Sequence, residues 1–347
     1  MTETMRAERL NLETKEVTVE DVPIPEPGPG EVLIKVEYCG ICHSDISLIN
    51  GTLPSSLPVV TQGHEASGTI AGIGAGVSGW DLGDRVIPSA GRPCMKCRNC
   101  RRGAYTDCLH MQVMAFNYDG AWAEYCISPA AGLTRIPDNV DFKEAAILAD
   151  AVATPYGAVV RTAKVRPGEA VGVWGLGGVG THIVQIARIT GAVPIIAVDV
   201  DDEVLRRAMK SGADYAFNSK DPDLVEKIHS ATGGRDLNVA FDAVGISATF
   251  SKAIECLGVG GRLVSVGMSA EKLSVGHGAQ FSMKRLTASG HFGYKSEDIA
   301  TLADLLSFER LDLSRSISGV ISLENIKEGI RQLDEHEGSP IRILVRP

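Results

Sequence analysis

Residues 170–190 read AVGVWGLGGVGTHIVQIARIT, and no other stretch limits the possible folds so tightly. An apolar run rich in valine leads into the turn Gly175-Leu176-Gly177-Gly178-Val179-Gly180, and apolar residues at helical spacing follow. Glycine-rich turns are common, but one that joins a strand to a helix in this way is a specific signal. The glycines allow a tight turn and let a pyrophosphate come close to the helix N-terminus, whose amides and dipole favour negative charge. Asp199 ends the next apolar strand, IIAVD, and is placed to accept hydrogen bonds from adenosine ribose hydroxyls. The acidic VDDEV around it would repel a 2′-phosphate, so NAD is favoured over NADP.

From about Val171 onward, short apolar strands alternate with amphipathic helices, the pattern of a parallel sheet covered by crossover helices. Strands are expected at Ala170 to Trp174, Pro194 to Asp199, Tyr215 to Asn218, Leu237 to Asp242 and Arg262 to Gly267. Helices are expected near 179–190, 202–211, 222–230 and 248–257. The first half differs: it is rich in glycine, proline and β-branched residues, with strand-like runs at Val32 to Val36, Gly68 to Ile73 and Arg85 to Pro88. The tail from His291 offers helices at Ile299 to Phe308 and near Leu323 to Leu333, then a strand at Ile341 to Val345. It is too short for a core of its own and is expected to pack back onto the first domain.

A chain of 347 residues with 44% hydrophobic and 22% charged residues has enough apolar side chains for two domain cores. Its formal net charge of -9 gives no long-range attraction for a phosphate backbone, which argues against nucleic-acid binding. The charged start, MTETMRAERLNLETKEVTVEDV, lacks the apolar core of a secretory signal, and no run approaches the ~20 apolar residues of a membrane span. A cytoplasmic protein, not associated with membrane, is expected.

Four of the eight cysteines crowd into CMKCRNCRRGAYTDC, where Cys94, Cys97, Cys100 and Cys108 have the spacing Cx2Cx2Cx7C. Thiols stay reduced in the cytosol, and this spacing lets four thiolates converge on one zinc. An iron–sulfur cluster and a pair of disulfides are the competing readings. A closed four-thiolate zinc site has no open position, so its role would be structural; Lys96, Arg98, Arg101 and Arg102 around it would offset its negative charge.

Two further fragments, ICHSD and GHEASG, contain potential ligands, but a single cysteine or histidine is more often a buried structural residue. In combination they are informative. ICHSD, GHEASGTIAGIGAGV, the four-cysteine string and GLGGVG together resemble the zinc-containing medium-chain alcohol dehydrogenase family, within the medium-chain dehydrogenase/reductase superfamily, over essentially the whole chain. The resemblance implies an α/β protein with a mostly β GroES-like catalytic domain, 1–151 and 292–347, carrying both zinc sites. It implies a Rossmann NAD-binding domain, 152–291, with a parallel doubly wound sheet.

By the same resemblance, Cys42, His64 and Asp150 hold the catalytic zinc, giving two zinc ions per subunit. Aspartate stands where most of the family has cysteine; carboxylate oxygen is a sound zinc ligand, and a helix N-cap is the alternative role for Asp150. Ser44 matches the hydroxyl that takes the substrate proton, Asp45 the carboxylate that orients the ligating histidine, and Glu65 a conditional or outer zinc carboxylate. His43 is expected near the cofactor pyrophosphate. Thr154, Val244, Val266 and Arg342 are expected to touch NAD, Arg342 through the pyrophosphate. The family's relay histidine, five positions after the zinc cysteine, is replaced by Ser47.

The implied activity is reversible hydride transfer between a primary or secondary alcohol and NAD (EC 1.1.1 class), with aldehydes and ketones as products. Polyol, threonine and formaldehyde dehydrogenases share these sites, and a non-catalytic NAD-binding protein is the reading from another class. A zinc-free quinone reductase is disfavoured by the two ligand sets. Ser89 and Ala90 stand where the family's substrate wall is often aromatic, which suggests room for bulky substrates. Family members of this length are frequently tetramers, so a homo-oligomer, tetramer or dimer, is expected.

Overall fold

The computed structural model describes residues 3–347; Met1 and Thr2, within the first expected domain segment, lie outside the described residues. The chain forms two units, one of Met1–Ala153 with Tyr294–Pro347, the other of Thr154–Gly293.

The second unit is built on six parallel strands in the order Tyr215–Asn218, Ile195–Asp199, Val171–Trp174, Leu237–Asp242, Leu257–Ser265, Thr287–Gly290. The order reverses beside Val171–Trp174, the switch point at which doubly wound sheets bind dinucleotides. All four residues of that strand are buried, as are Ile195 to Val198, because helices cover both faces of a parallel sheet. The expected α/β class with a Rossmann sheet is therefore present. Two elements escaped the sequence reading, the strand Thr287–Gly290 and the helix Gly278–Met283. TASG has neither alternation nor apolar bulk, and all four residues are exposed; it is a strand only because it pairs with Leu257–Ser265.

The first unit is mostly β. Its largest sheet runs Leu133–Arg135, Arg85–Pro88, Ala66–Ile73, Glu31–Gly40, Arg342–Arg346, Ile317–Ser322, with Tyr125–Pro129 also pairing to Glu31–Gly40. In EVLIKVEYCG, Val32, Ile34 and Val36 alternate into the core while Glu31, Leu33 and Lys35 are more exposed. The last strand pairs antiparallel with this one, Leu344 opposite Gly40 and Val345 opposite Cys39. That pairing carries Arg342 from the end of the chain to the segment holding Cys42. Among the described residues no helix is long and apolar enough to cross a membrane.

Candidate active site

The Glu31–Gly40 strand runs through Ile41 to Cys42, the N-cap of the short helix His43–Ile49. Asp45, in the first turn, accepts the Cys42 N–H through Oδ2 at 2.9 Å, which fixes where the helix starts. His64 follows the strand Val59–Val60 and precedes Ala66–Ile73. The turn before it needs glycine: Gly63 has φ +89°, and a Cβ there would stand 2.4 Å from the Trp122 ring. Asp150 lies in the widened helical turn Leu148–Val152, of the kind often found at functional sites. It does not cap the helix. Asp141 does, accepting the Lys143 N–H at 2.7 Å, so the N-cap alternative for Asp150 is replaced by an inward-facing carboxylate.

One donor atom each from Cys42, His64 and Asp150 lies within 4.8 Å of the other two. Cys42 Sγ and Asp150 Oδ2 are 3.3 Å apart, and His64 Nε2 and Asp150 Oδ2 are 3.6 Å apart. A tetrahedral zinc with bonds of ~2.0–2.3 Å would set such ligand–ligand edges at about 3.4–3.6 Å, so the three residues fit one ion. Asp45 Oδ1 is 3.3 Å from His64 Nδ1, which leaves Nε2 to face the metal position. Burial disfavours charge on His64, yet Asp45, with Asp150 and Cys42, pulls its pKa well above the usual value. Surroundings that draw a proton onto this ring also favour a bound cation. Ser44 Oγ lies 3.2 Å from His64 Nε2, beside the metal position.

Beside Asp150, Glu65 and Arg342 form an ion pair at 3.0 Å, with side-chain exposures of 0% and 3%. Glu65 also accepts the Ala151 N–H at 2.6 Å, and its bulk explains Gly40, where a Cβ would stand 1.9 Å from Oε2. Burial pushes Glu65 up to about 8 against the pull of Arg342. Nη2 of Arg342 is 3.5 Å from Asp150 Oδ2 and Nη1 donates to Ile41 O at 3.3 Å. These partners were not anticipated for Arg342; nothing local in IRILVRP indicates them. His43 stacks on His336 at 5.5 Å, and burial, His336 and Arg342 lower its pKa.

Sequence reasoning also missed Phe116, whose ring meets the His64 ring edge-on at 5.8 Å, and Tyr294, whose hydroxyl accepts the Ala90 N–H at 3.0 Å. Tyr294 lies in the segment HFGYKSED, where no motif marks it. Ser89 and Ala90 are 4% and 6% exposed, with Tyr118 donating to Ala90 O at 3.1 Å. Both tyrosine hydroxyls thus meet the Ala90 backbone.

The donor atoms of Cys94, Cys97, Cys100 and Cys108 likewise lie within 4.8 Å of one another. Sγ separations of 3.5 Å for Cys97–Cys100 and 4.0 Å for Cys94–Cys100 approach the ~3.8 Å edge of a tetrahedral Zn(Cys)4 centre. All eight cysteines are free, so disulfides are absent among the described residues. Amides of Cys100 and Leu109 lower Cys97 to about 6, while burial and the neighbouring thiols push Cys100 up to about 12.

In the second unit the three fingerprint glycines have distinct roles. Gly175 has φ +82°, Gly177 has nothing within 4 Å of a Cβ position, and a Cβ on Gly180 would stand 1.7 Å from Gly175 O. They supply the turn, the open approach and the close packing in that order. Leu176, Gly178 and Val179 complete the turn, with the helix Gly178–Ile189 starting inside it. Asp199 accepts the Leu176 N–H at 2.7 Å, tying the end of the strand Ile195–Asp199 to the turn. A Cβ on Gly175 would stand 2.5 Å from Val244 Cγ2, so Val244 borders the turn; Val266 N–H bonds Asp242 O, and Thr154 is buried.

Residues 28–138 match the family model of the alcohol dehydrogenase GroES-like domain, and residues 178–307 that of zinc-binding dehydrogenases. An alcohol dehydrogenase of Geobacillus stearothermophilus is 36% identical over 274 residues, 78% of this chain and 79% of that protein. This chain belongs to the zinc-containing medium-chain alcohol dehydrogenase family. Two solved structures agree across the fold. An alcohol dehydrogenase from Thermus sp. ATN1 has a TM-score of 0.90 and 30% identity, over 99% of both chains. An acetophenone reductase from Geotrichum candidum, in complex with NAD, has a TM-score of 0.89 and 27% identity, over 100% of this chain and 98% of that one. As a member of this family the chain is a zinc-dependent oxidoreductase that uses a nicotinamide dinucleotide.

Proposed function

We propose that the chain oxidises primary or secondary alcohols with NAD, and reduces the corresponding aldehydes and ketones, at the centre formed by Cys42, His64 and Asp150. The convergence of these three residues from distant segments carries the reading. A zinc ion held by them would lower the pKa of an alcohol or polarise a carbonyl; the thiolate and carboxylate balance its charge without removing its acidity. Asp45 holds the His64 ring with Nε2 toward the metal. The Ser44 hydroxyl, beside Nε2, accepts the substrate proton, and Ser47 in place of a histidine implies that the proton leaves through water or a ribose hydroxyl. Glu65, on the Ala151 amide, and Arg342, 3.5 Å from Asp150, hold Asp150 from its far side. His43, Thr154, Val244, Val266 and Arg342 retain their proposed proximity to the cofactor.

The first unit is proposed as the catalytic domain bearing both zinc ions and the second as the NAD domain, with Asp199 selecting against a 2′-phosphate. The likeness to an acetophenone reductase favours bulky secondary or aromatic substrates over ethanol. The exposed edge strand Thr287–Gly290 offers unpaired backbone to a second copy, which supports a homo-oligomer. Its reduced thiolate site fits a cytoplasmic location.

The test combines metal quantitation with NADH formation over an alcohol panel. The reading expects about two zinc ions per chain and turnover that is lost in the double variant Cys42→Ala/His64→Ala. A double variant with full metal content and undiminished alcohol oxidation overturns it, and ethanol having the highest kcat/KM of the panel overturns the substrate class.

A further inference from the structure

Glu8 is a buried carboxyl group with no ion-pair partner among the described residues. It lies on the strand Thr4–Asn11 with 0% exposure, where Oε2 accepts the Gln62 N–H at 2.7 Å and Oε1 has no hydrogen-bond partner. A buried polar group is costly unless its hydrogen bonds return something, and an apolar residue here would leave the Gln62 N–H without that acceptor. Burial pushes the Glu8 pKa well above the ordinary carboxyl value, against the pull of the Gln62 amide.

What Glu8 holds is the segment leading to His64. Glu8 N–H donates to Trp122 O at 2.8 Å, and Trp122 N–H donates to Gln62 O at 2.9 Å, so the first strand, Trp122 and Gln62 form one ladder. Thr61 and Gly63 are tied to the same partner segment, since Gly120 N–H donates to Thr61 O and Ala121 N–H to Gly63 O, each at 2.7 Å. The Gln62 side chain, also 0% exposed, continues inward and donates to Asp45 O at 2.9 Å. Asp45 then accepts from Cys42 N–H at 2.9 Å and lies 3.3 Å from His64 Nδ1.

We propose that Glu8 is a positioning residue for the catalytic metal centre, acting through Gln62 and Asp45 to hold Cys42 and His64 in ligating geometry. The inference rests on the reading of Cys42, His64 and Asp150 as zinc ligands. It adds a chain of hydrogen bonds, Glu8 to Gln62 to Asp45, that begins on a different strand and reaches two ligands at once. Among the described residues the Gln62 side chain is the polar link from Glu8 to the helix His43–Ile49, through the Asp45 backbone carbonyl, so the loss of Glu8 or of Gln62 weakens the same restraint on Asp45.

The experiment follows zinc release from the holoenzyme to a chelator, with the four-cysteine zinc as internal control, and the visible spectrum after cobalt replaces the catalytic zinc. Glu8→Ala should release the catalytic zinc about tenfold faster or more, at the scale of outer-partner effects on metal affinity, and perturb the cobalt bands. Release from the four-cysteine site should not change. Glu8→Gln, whose amide oxygen can accept the Gln62 N–H, should behave like the parent. Gln62→Met leaves Glu8 in place and should show the same faster release, which provides the test should Glu8→Ala not fold. The double variant should be no faster than the worse single one, because both break one chain of bonds. Parent-like release and cobalt spectrum in Glu8→Ala or Gln62→Met, with only a lower melting temperature, would overturn the proposal, as would additive effects in the double variant. Failure of the ligand reading is separate: there the parent itself would keep its full zinc content after Cys42→Ala/His64→Ala.

Discussion

Asp45→Asn isolates the link between the helix His43–Ile49 and the ligating histidine. Both Asp45 oxygens face N–H groups, Cys42 N–H at 2.9 Å and the His64 Nδ1 side at 3.3 Å, and the residue is 0% exposed. An asparagine side chain has the same shape but only one acceptor oxygen. Whichever way it is turned, its NH2 group meets a donor, either the Cys42 amide or the imidazole. One hydrogen bond to a charged group is lost, worth about 1.5–3 kcal/mol. That range corresponds to about 10–150-fold in an equilibrium constant, and it overlaps the 10–100-fold loss of metal affinity usual when the partner of a ligating histidine is removed. Asp45→Asn should therefore weaken zinc at the catalytic centre by about 10–100-fold and leave the four-cysteine zinc in place. The assay is competition with a chromogenic chelator on the folded protein, read as one fast and one slow zinc equivalent per chain. A catalytic-site affinity within twofold of the parent, in a variant of unchanged circular dichroism, would refute the reasoning.

Three further outcomes follow from the geometry. Gly180→Ala puts a methyl group 1.7 Å from Gly175 O, so the turn must open; NADH affinity, measured by fluorescence titration, should fall about tenfold or more while zinc content is unchanged. Arg342→Leu leaves Glu65 buried without its cation and should destabilise the first unit by about 3–5 kcal/mol, whereas Glu65→Gln/Arg342→Leu should recover part of that in a thermal melt; a double variant worse than the sum of the singles would contradict the pairing. The Glu8 carboxyl has a folded pKa raised by burial, so the folded state keeps a proton that the unfolded chain releases, and this contribution to stability is lost as pH rises from the ordinary carboxyl range through the folded pKa. Glu8→Gln should accordingly be as stable as the parent in mild acid and more stable at alkaline pH, as judged by urea midpoints.

Cys94, Cys97, Cys100 and Cys108, the glycine turn and Asp199 were legible in the sequence because each motif is local. Their spacing along the chain nearly equals their spacing in space, whether in one lobe or across one strand–turn–helix unit. Cys42, His64 and Asp150 are not of that kind. They come from a helix start, a loop and a widened helical turn, and family resemblance, not spacing, joined them before the fold did.

The strand Thr287–Gly290 and the partners of Arg342 lay beyond the sequence altogether. TASG carries no strand signal until a neighbour supplies hydrogen bonds, and Arg342 acquires its carboxylates only when the last strand pairs beside Glu31–Gly40. Local propensity and motif spacing thus determined the two classes of unit, the four-cysteine lobe and the dinucleotide turn. Tertiary structure decided the burial of Glu65 with Arg342, the inward aim of Asp150 and the Glu8–Gln62–Asp45 chain. Each of these depends on contacts between residues tens to hundreds of positions apart, and the energy of a buried charge or hydrogen bond is set by the partners that folding brings to it.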